Sequence, residues 1–102
     1  MAIEIVRSRY RLWIPHAREC ESEGNLDLHV FLENGPHYVC TVYTPENLRR
    51  ILNDFRYSGE GSCMWDPSMV IVSDLQDETI CAAVEELIAT GAISRAMELA
   101  GQ

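Results

Sequence analysis

Lysine is absent from this chain of 102 residues, and that absence removes more chemistry than any single residue present supplies. A Walker-type phosphate loop needs a lysine to reach the phosphates, and Schiff-base and pyridoxal chemistry need its amine. The glycines of "SGEGSCMW" are therefore no phosphate cradle. Nor do they form a dinucleotide fingerprint, because Gly59 and Gly61 lead toward a strand rather than from a strand into a helix, and Met64 stands where a third glycine would be needed. No stretch approaches the roughly 20 apolar residues that cross a bilayer. At the N-terminus, Arg7, Arg9 and Arg11 interrupt the apolar residues, so no signal-peptide core is recognised there. A cytoplasmic protein without membrane attachment is the expectation. In that setting the four cysteines read as thiols rather than disulfides, with Cys40 and Cys81 acting as small hydrophobes inside apolar segments.

Basic residues of any kind are scarce. Eight arginines face sixteen acids, for a formal charge of −8. The imbalance is uneven: residues 1–18 carry four arginines against Glu4, and the remaining four arginines stand against fifteen acids. Such a field repels a phosphate backbone and attracts basic proteins, so nucleic acid is excluded and a basic protein partner is favoured. With 47% hydrophobic residues, the composition is that of one ordinary globular domain spanning residues 1–102.

Residues 3–14 alternate, with Val6, Tyr10, Leu12 and Ile14 on one face and Arg7, Arg9 and Arg11 on the other, which predicts a half-buried strand. The arginine ladder is more simply a solvated face than a binding stripe. In "LDLHVFLENGPHYVCTVYT", Leu26, Leu28, Val30 and Leu32 alternate with Asp27, His29, Phe31 and Glu33. Asn34-Gly35 then offers positive φ angles for a tight hairpin, and Tyr38 to Tyr43 returns after Pro36. A helix follows, capped by Thr44, opened by Pro45, striped by Leu48, Ile51, Leu52 and Phe55, and ended at Gly59. Met69 to Val72 reads as a strand covered on both faces or at the sheet centre. A second helix over roughly 76–90 buries Ile80, Val84, Leu87 and Ile88, with Leu75 as an entry staple and Thr90-Gly91 at its end. A helical tail from Ile93 to Leu99 touches the body through Ile93, Met97 and Leu99. The order β-β-β-α-β-α with a short terminal helix predicts an α+β two-layer sandwich, a mainly antiparallel four-stranded sheet with helices on one face.

Candidate chemistry is thin. Cys63, flanked by Glu60 and Asp66, lacks the electropositive setting that activates a thiol, although His37 or His29 could approach it; a loop thiol packed beneath Trp65 is the simpler role. A small-molecule site or minor enzyme around Cys63 is the rival to a binding module. His16 and Cys20 lie four apart with no second pair at ligand spacing, so neither a metal nor another cofactor is expected. His29 and His37 flank the hairpin turn and should sit near one another across the strands. No catalytic set emerges.

The second helix carries the more telling pattern. Between Asp74 and Glu86 there are five acids and no base. Asp77 and Glu78 suit the positive end of the helix dipole, whereas Glu85 and Glu86 lie beyond the midpoint with no i±4 partner. Together with Glu60, Trp65 and Asp66 they form the candidate partner-binding surface, with Trp65 as anchor. A homodimer through a sheet edge or the helical tail is a further assembly the sequence allows.

Over roughly residues 38–91, the Thr-Pro-capped helix, "SGEGSCMW", "DPSMVIVSDL" and "ETICAAVEELIATG" resemble a group of small acidic bacterial proteins to which no catalytic residues are assigned. The resemblance implies a shared α+β fold. In size, charge and lack of a catalytic set the chain also resembles the immunity proteins of bacterial toxin systems, which implies capture of a basic toxin-like protein.

Overall fold

The computed structural model describes residues 2–15, 25–53 and 67–100. Its elements run β1 (Ile3–Val6), β2 (Tyr10–Ile14), β3 (Asn25–Leu32), β4 (His37–Tyr43), α1 (Pro45–Leu52), β5 (Met69–Ile71), α2 (Asp77–Thr90), α3 (Ile93–Ala96) and β6 (Glu98–Leu99). This is a mixed α+β fold. Six strands form one sheet in the order β1-β2-β3-β4-β5, antiparallel except for the β4–β5 pair, and β6 joins β4 beside β5.

The first predicted strand is in fact a hairpin. Residues 7–9 turn, the Arg7 amide donates to the Tyr10 carbonyl at 2.9 Å, and β1 folds back on β2 with Val6 opposite Arg11. The reversal shifts the parity of everything before it. Val6, expected beside Leu12 in the core, lies on the opposite face at 65% exposure, and the arginine ladder does not exist. Arg7 and Arg9 sit in the exposed turn, and Arg11 alone remains on the strand.

The β3–β4 hairpin pairs from Asn25↔Tyr43 to Phe31↔His37, one residue out of step with a two-residue turn at Asn34-Gly35. Its connection is longer than such a turn, and only Gly35 adopts a positive φ, at 117°; Asn34 does not. A four-residue loop offers a turn of ordinary φ at Asn34 and needs the left-handed region at a single position.

Strand alternation puts Ile5, Leu12, Ile14, Leu26, Leu28, Val30, Cys40 and Val42 on one face. That face is closed by Ile80, Cys81 and Val84 of α2, by Ile93 of α3 and by Met97. Burial at about 25 cal/mol per Å² makes this layer the main source of stability. Cys40 and Cys81 are buried there as thiols, as the composition implied.

α1 begins as expected: Thr44 lies in extended backbone, its hydroxyl accepts from the Asn47 amide at 3.2 Å, and Pro45 takes the first helical position. Its predicted end at Gly59 and stripe residue Phe55 lie outside the described residues. β5 departs from expectation in a different way. It is an edge strand rather than a central one, and Ile71 is 53% exposed. A run of apolar residues cannot by itself distinguish a covered centre from a short parallel edge.

Asp74 leads into α2 by accepting the Gln76 amide at 2.9 Å. Hydrogen bonds from Thr79 and then Gln76 hold its carboxyl below the usual range. Gly91, at φ 75°, closes the helix, its amide bonded to Ile88 and that of Ala92 to Leu87. Beyond it the predicted helical tail stops after Ala96. Ile93 and Met97 are buried as expected, but Glu98 and Leu99 extend into β6, and Leu99 is exposed.

Candidate interaction surface on the open sheet face

Residues of the other strand parity face away from the core. Glu4 of β1, Arg11 and Trp13 of β2, Asp27, His29 and Phe31 of β3, and His37, Val39 and Thr41 of β4 share this face by register. Glu98 of β6, opposite Val39, joins them. Four of these ten are aromatic rings, and they pack on one another.

Phe31 is the centre of the packing. The His37 ring stacks on it with centroids 4.1 Å apart and planes 15° from parallel. The Arg11 guanidinium carbon stands 4.1 Å from the same centroid. Because Arg11 comes from β2 and His37 from β4, the two flank Phe31 from opposite sides of β3. Arg11 also donates to Glu4 at 2.9 Å, the one ion pair among the described residues. An exposed pair of this kind contributes less than about 1 kcal/mol, but here it also fixes the cation over the ring.

The second contact joins the histidines. His29 Nδ1 and His37 Nε2 are 3.0 Å apart, a hydrogen bond with one nitrogen donating and the other accepting. The expected proximity across the hairpin is thus realised as a direct bond between half-buried rings. Burial holds His29 below the ordinary imidazole range, His37 acts in the same direction, and the Asp27 carboxylate pulls the other way. Trp13 closes the group, its ring tilted 54° to His29 at 4.9 Å. The contacts therefore run Glu4, Arg11, Phe31, His37, His29, Trp13 across four strands.

Beside this stack lies a shallow depression of about 280 Å³ lined by Ala2, Ile3, Glu4, Arg11, Trp13 and Phe31. It is smaller and more open than the clefts that enclose small ligands, which begin near 300 Å³.

The acidic residues expected to bind a partner are placed differently. Asp77, Glu78, Glu85 and Glu86 are all exposed on α2. Glu85, however, has a partner that helix spacing could not show, since its Oε2 accepts from the Tyr10 hydroxyl at 2.6 Å across 75 residues of sequence. Burial first, and then this bond, push the Tyr10 proton affinity well above the ordinary phenol range. Glu85 thus ties α2 to β2. Glu78, two turns earlier at about 3.6 residues per turn, lies on the same flank, while Glu86 points away from the core stripe of Ile80 and Val84. No ion pair among the described residues reaches Asp77, Glu78 or Glu86. Glu60, Cys63, Trp65 and Asp66, with His16 and Cys20, lie outside the described residues.

Among the described residues no group of three or more histidine, cysteine or carboxylate side chains is arranged to hold a metal ion. No described helix is long and apolar enough to cross a membrane. No family model, curated protein or solved structure matches the chain.

The sheet-face stack was the feature sequence reasoning undervalued. Arg11, His29 and Phe31 were assigned to the outward side and the two histidines were expected near one another, but Trp13 and His37 were given no face. The signal that could have found it was the density of rings at alternate positions, Trp13, His29, Phe31 and His37, on strands expected to pair.

Proposed function

We propose that this chain is a non-enzymatic binding module that captures a basic partner protein, in the manner of an immunity or antitoxin factor. The observation that supports the reading is the half-buried stack of Trp13, His29, His37, Phe31 and Arg11 on the sheet face away from the core, with Trp13 exposed. Rings and arginine held rigidly at the centre of a flat surface, with charge around them, are the composition of an energetic hot spot. With both imidazoles neutral, the carboxylates of Glu4, Asp27 and Glu98 stand on this face against the single guanidinium of Arg11. That excess matches a cationic partner, and the acids of α2 strengthen the long-range attraction.

The stack also argues against nucleic acid. A base-stacking platform must present ring faces to solvent, whereas both faces of Phe31 are occupied, one by His37 and one by Arg11.

The partner surface of the sequence reading is accordingly redistributed. In this proposal Asp77, Glu78 and Glu86 act in steering, Glu85 is structural, and Glu60, Trp65 and Asp66, outside the described residues, keep the partner-binding role expected of them. The test is affinity capture with the purified protein as bait, identification of the bound protein, and titration with variants. A basic partner should lose roughly thirtyfold in affinity, about 2 kcal/mol, with Phe31→Ala or Trp13→Ala. Glu78→Arg with Glu86→Arg should mainly slow association and weaken its salt dependence. Undiminished binding by the Trp13→Ala, Phe31→Ala double variant, still folded by circular dichroism, overturns the assignment.

A further inference from the structure

We propose that the His29–His37 pair makes this sheet face proton-gated: the contact accommodates one added proton, and uptake of a second drives the rings apart, loosens the stack and removes the acidic excess that attracts a cationic partner. The part concerning the partner rests on the reading above; the part concerning the stack does not.

The geometry carries the inference. At 3.0 Å the two ring nitrogens share one hydrogen bond, which requires one donor and one acceptor. Two neutral imidazoles satisfy it, and so do one imidazolium and one imidazole. Two imidazoliums offer only donors at that contact and place like charges together, so the pair cannot persist in that state. Because His37 is stacked on Phe31 and His29 contacts Trp13, parting the two histidines disturbs both ends of the cluster. The low proton affinity of His29, caused first by burial and then by His37, agrees with this order of events.

The surrounding charges define the effect on the face. Glu4 on β1, Arg11 on β2, Asp27 on β3 and Glu98 on β6 share it, and β4 adds Thr41, whose hydroxyl donates to Asp27 at 3.4 Å, and the buried Tyr43. Asp27 is the carboxylate that favours the charged form of His29, so it sets how acidic the medium must become. Two imidazoliums would balance the carboxylate excess over Arg11. A face that attracts cations near neutral pH would then be neutral in weak acid.

The experiment is an NMR titration of the imidazole, Phe31 and Trp13 ring resonances between pH 8 and pH 4. It is run on the wild type, on His37→Phe, which keeps a ring against Phe31, and on His37→Asn as a second variant. In the wild type His29 should take up its proton at least tenfold less readily than in either variant, and the Trp13 indole shift should follow that same step. Identical His29 titrations in all three proteins, or a Trp13 signal indifferent to the step, overturn the proposal. Deca-arginine added at pH 7 and at pH 5 separates the two layers of the argument. Shifts at Trp13 that weaken severalfold at pH 5 in the wild type but not in His37→Phe support gating of a cationic ligand, and equal shifts at both pH values in the wild type overturn it. If deca-arginine leaves Trp13 unmoved at both pH values while the proton steps occur as expected, the docking reading fails and the gated stack stands.

Discussion

Leu12 and Trp13 are neighbours in β2, yet Leu12 is 0% exposed beneath the helices and Trp13 is 38% exposed on the opposite side of the sheet. The contrast extends along β3, where Leu28 and Val30 enter the core and His29 and Phe31 do not. One face is organised by exclusion of water, and the hydroxyl of its Tyr10 is bonded to Glu85. The other is organised by directional contacts among rings, a guanidinium and a carboxylate, each of modest strength and each open to solvent. A surface of the second kind contributes little to folding, and the two faces should respond differently to mutation.

The sharpest break of that comparison is to truncate both neighbours. Leu12→Ala should cost about 2–5 kcal/mol in urea denaturation, because a fully enclosed side chain leaves a cavity. Trp13→Ala should cost no more than about 1 kcal/mol while severely impairing partner capture. Equal losses of stability would mean that the outer face is a second core.

Next comes the bond that joins the layers. Tyr10→Phe removes a hydroxyl from the Glu85 carboxylate and should cost about 1 kcal/mol. Tyr10 holds its proton more tightly when folded than when unfolded, so its stabilisation is complete below about pH 10 and is lost as the pH rises beyond that value. The variant should lack this alkaline component, which thermal melts at pH 8 and pH 11 would reveal as a smaller drop than in the wild type. The smallest effect belongs to Glu4→Gln, which breaks the pair with Arg11 and should change stability by less than about 0.5 kcal/mol in denaturant titration.

How much of this was legible beforehand depended on whether a signal was local. The β3–β4 alternation, the Thr44-Pro45 start of α1 and the Gly91 stop of α2 are each decided by a few adjacent residues, and all appear as expected. The β1–β2 reversal was missed because "RSR" holds no glycine, proline or asparagine to announce a turn, and the alternation continues plausibly through it. Edge placement of β5 and the β-strand at Glu98–Leu99 depend on which neighbours the sheet already has, information that no short window contains. For the site, the closeness of the two histidines was legible because they flank one turn, although a two-residue turn there would have set them on opposite faces. The bond from Tyr10 to Glu85 was not, since it joins residues whose proximity exists only once α2 lies across the sheet. The stacking of Arg11 and Phe31 likewise required the pairing of β2 with β3.

β6 has one further consequence. The Ala100 amide donates to the His37 carbonyl at 2.7 Å, and Glu98 and Leu99 pair with Val39 and Tyr38. The strand bearing one of the two imidazoles is therefore held along its edge by a two-residue clasp, among the shortest strands in the molecule. Amide exchange at Ala100 should be a sensitive gauge of how firmly that histidine is seated, reporting from the sheet edge on events at its open face.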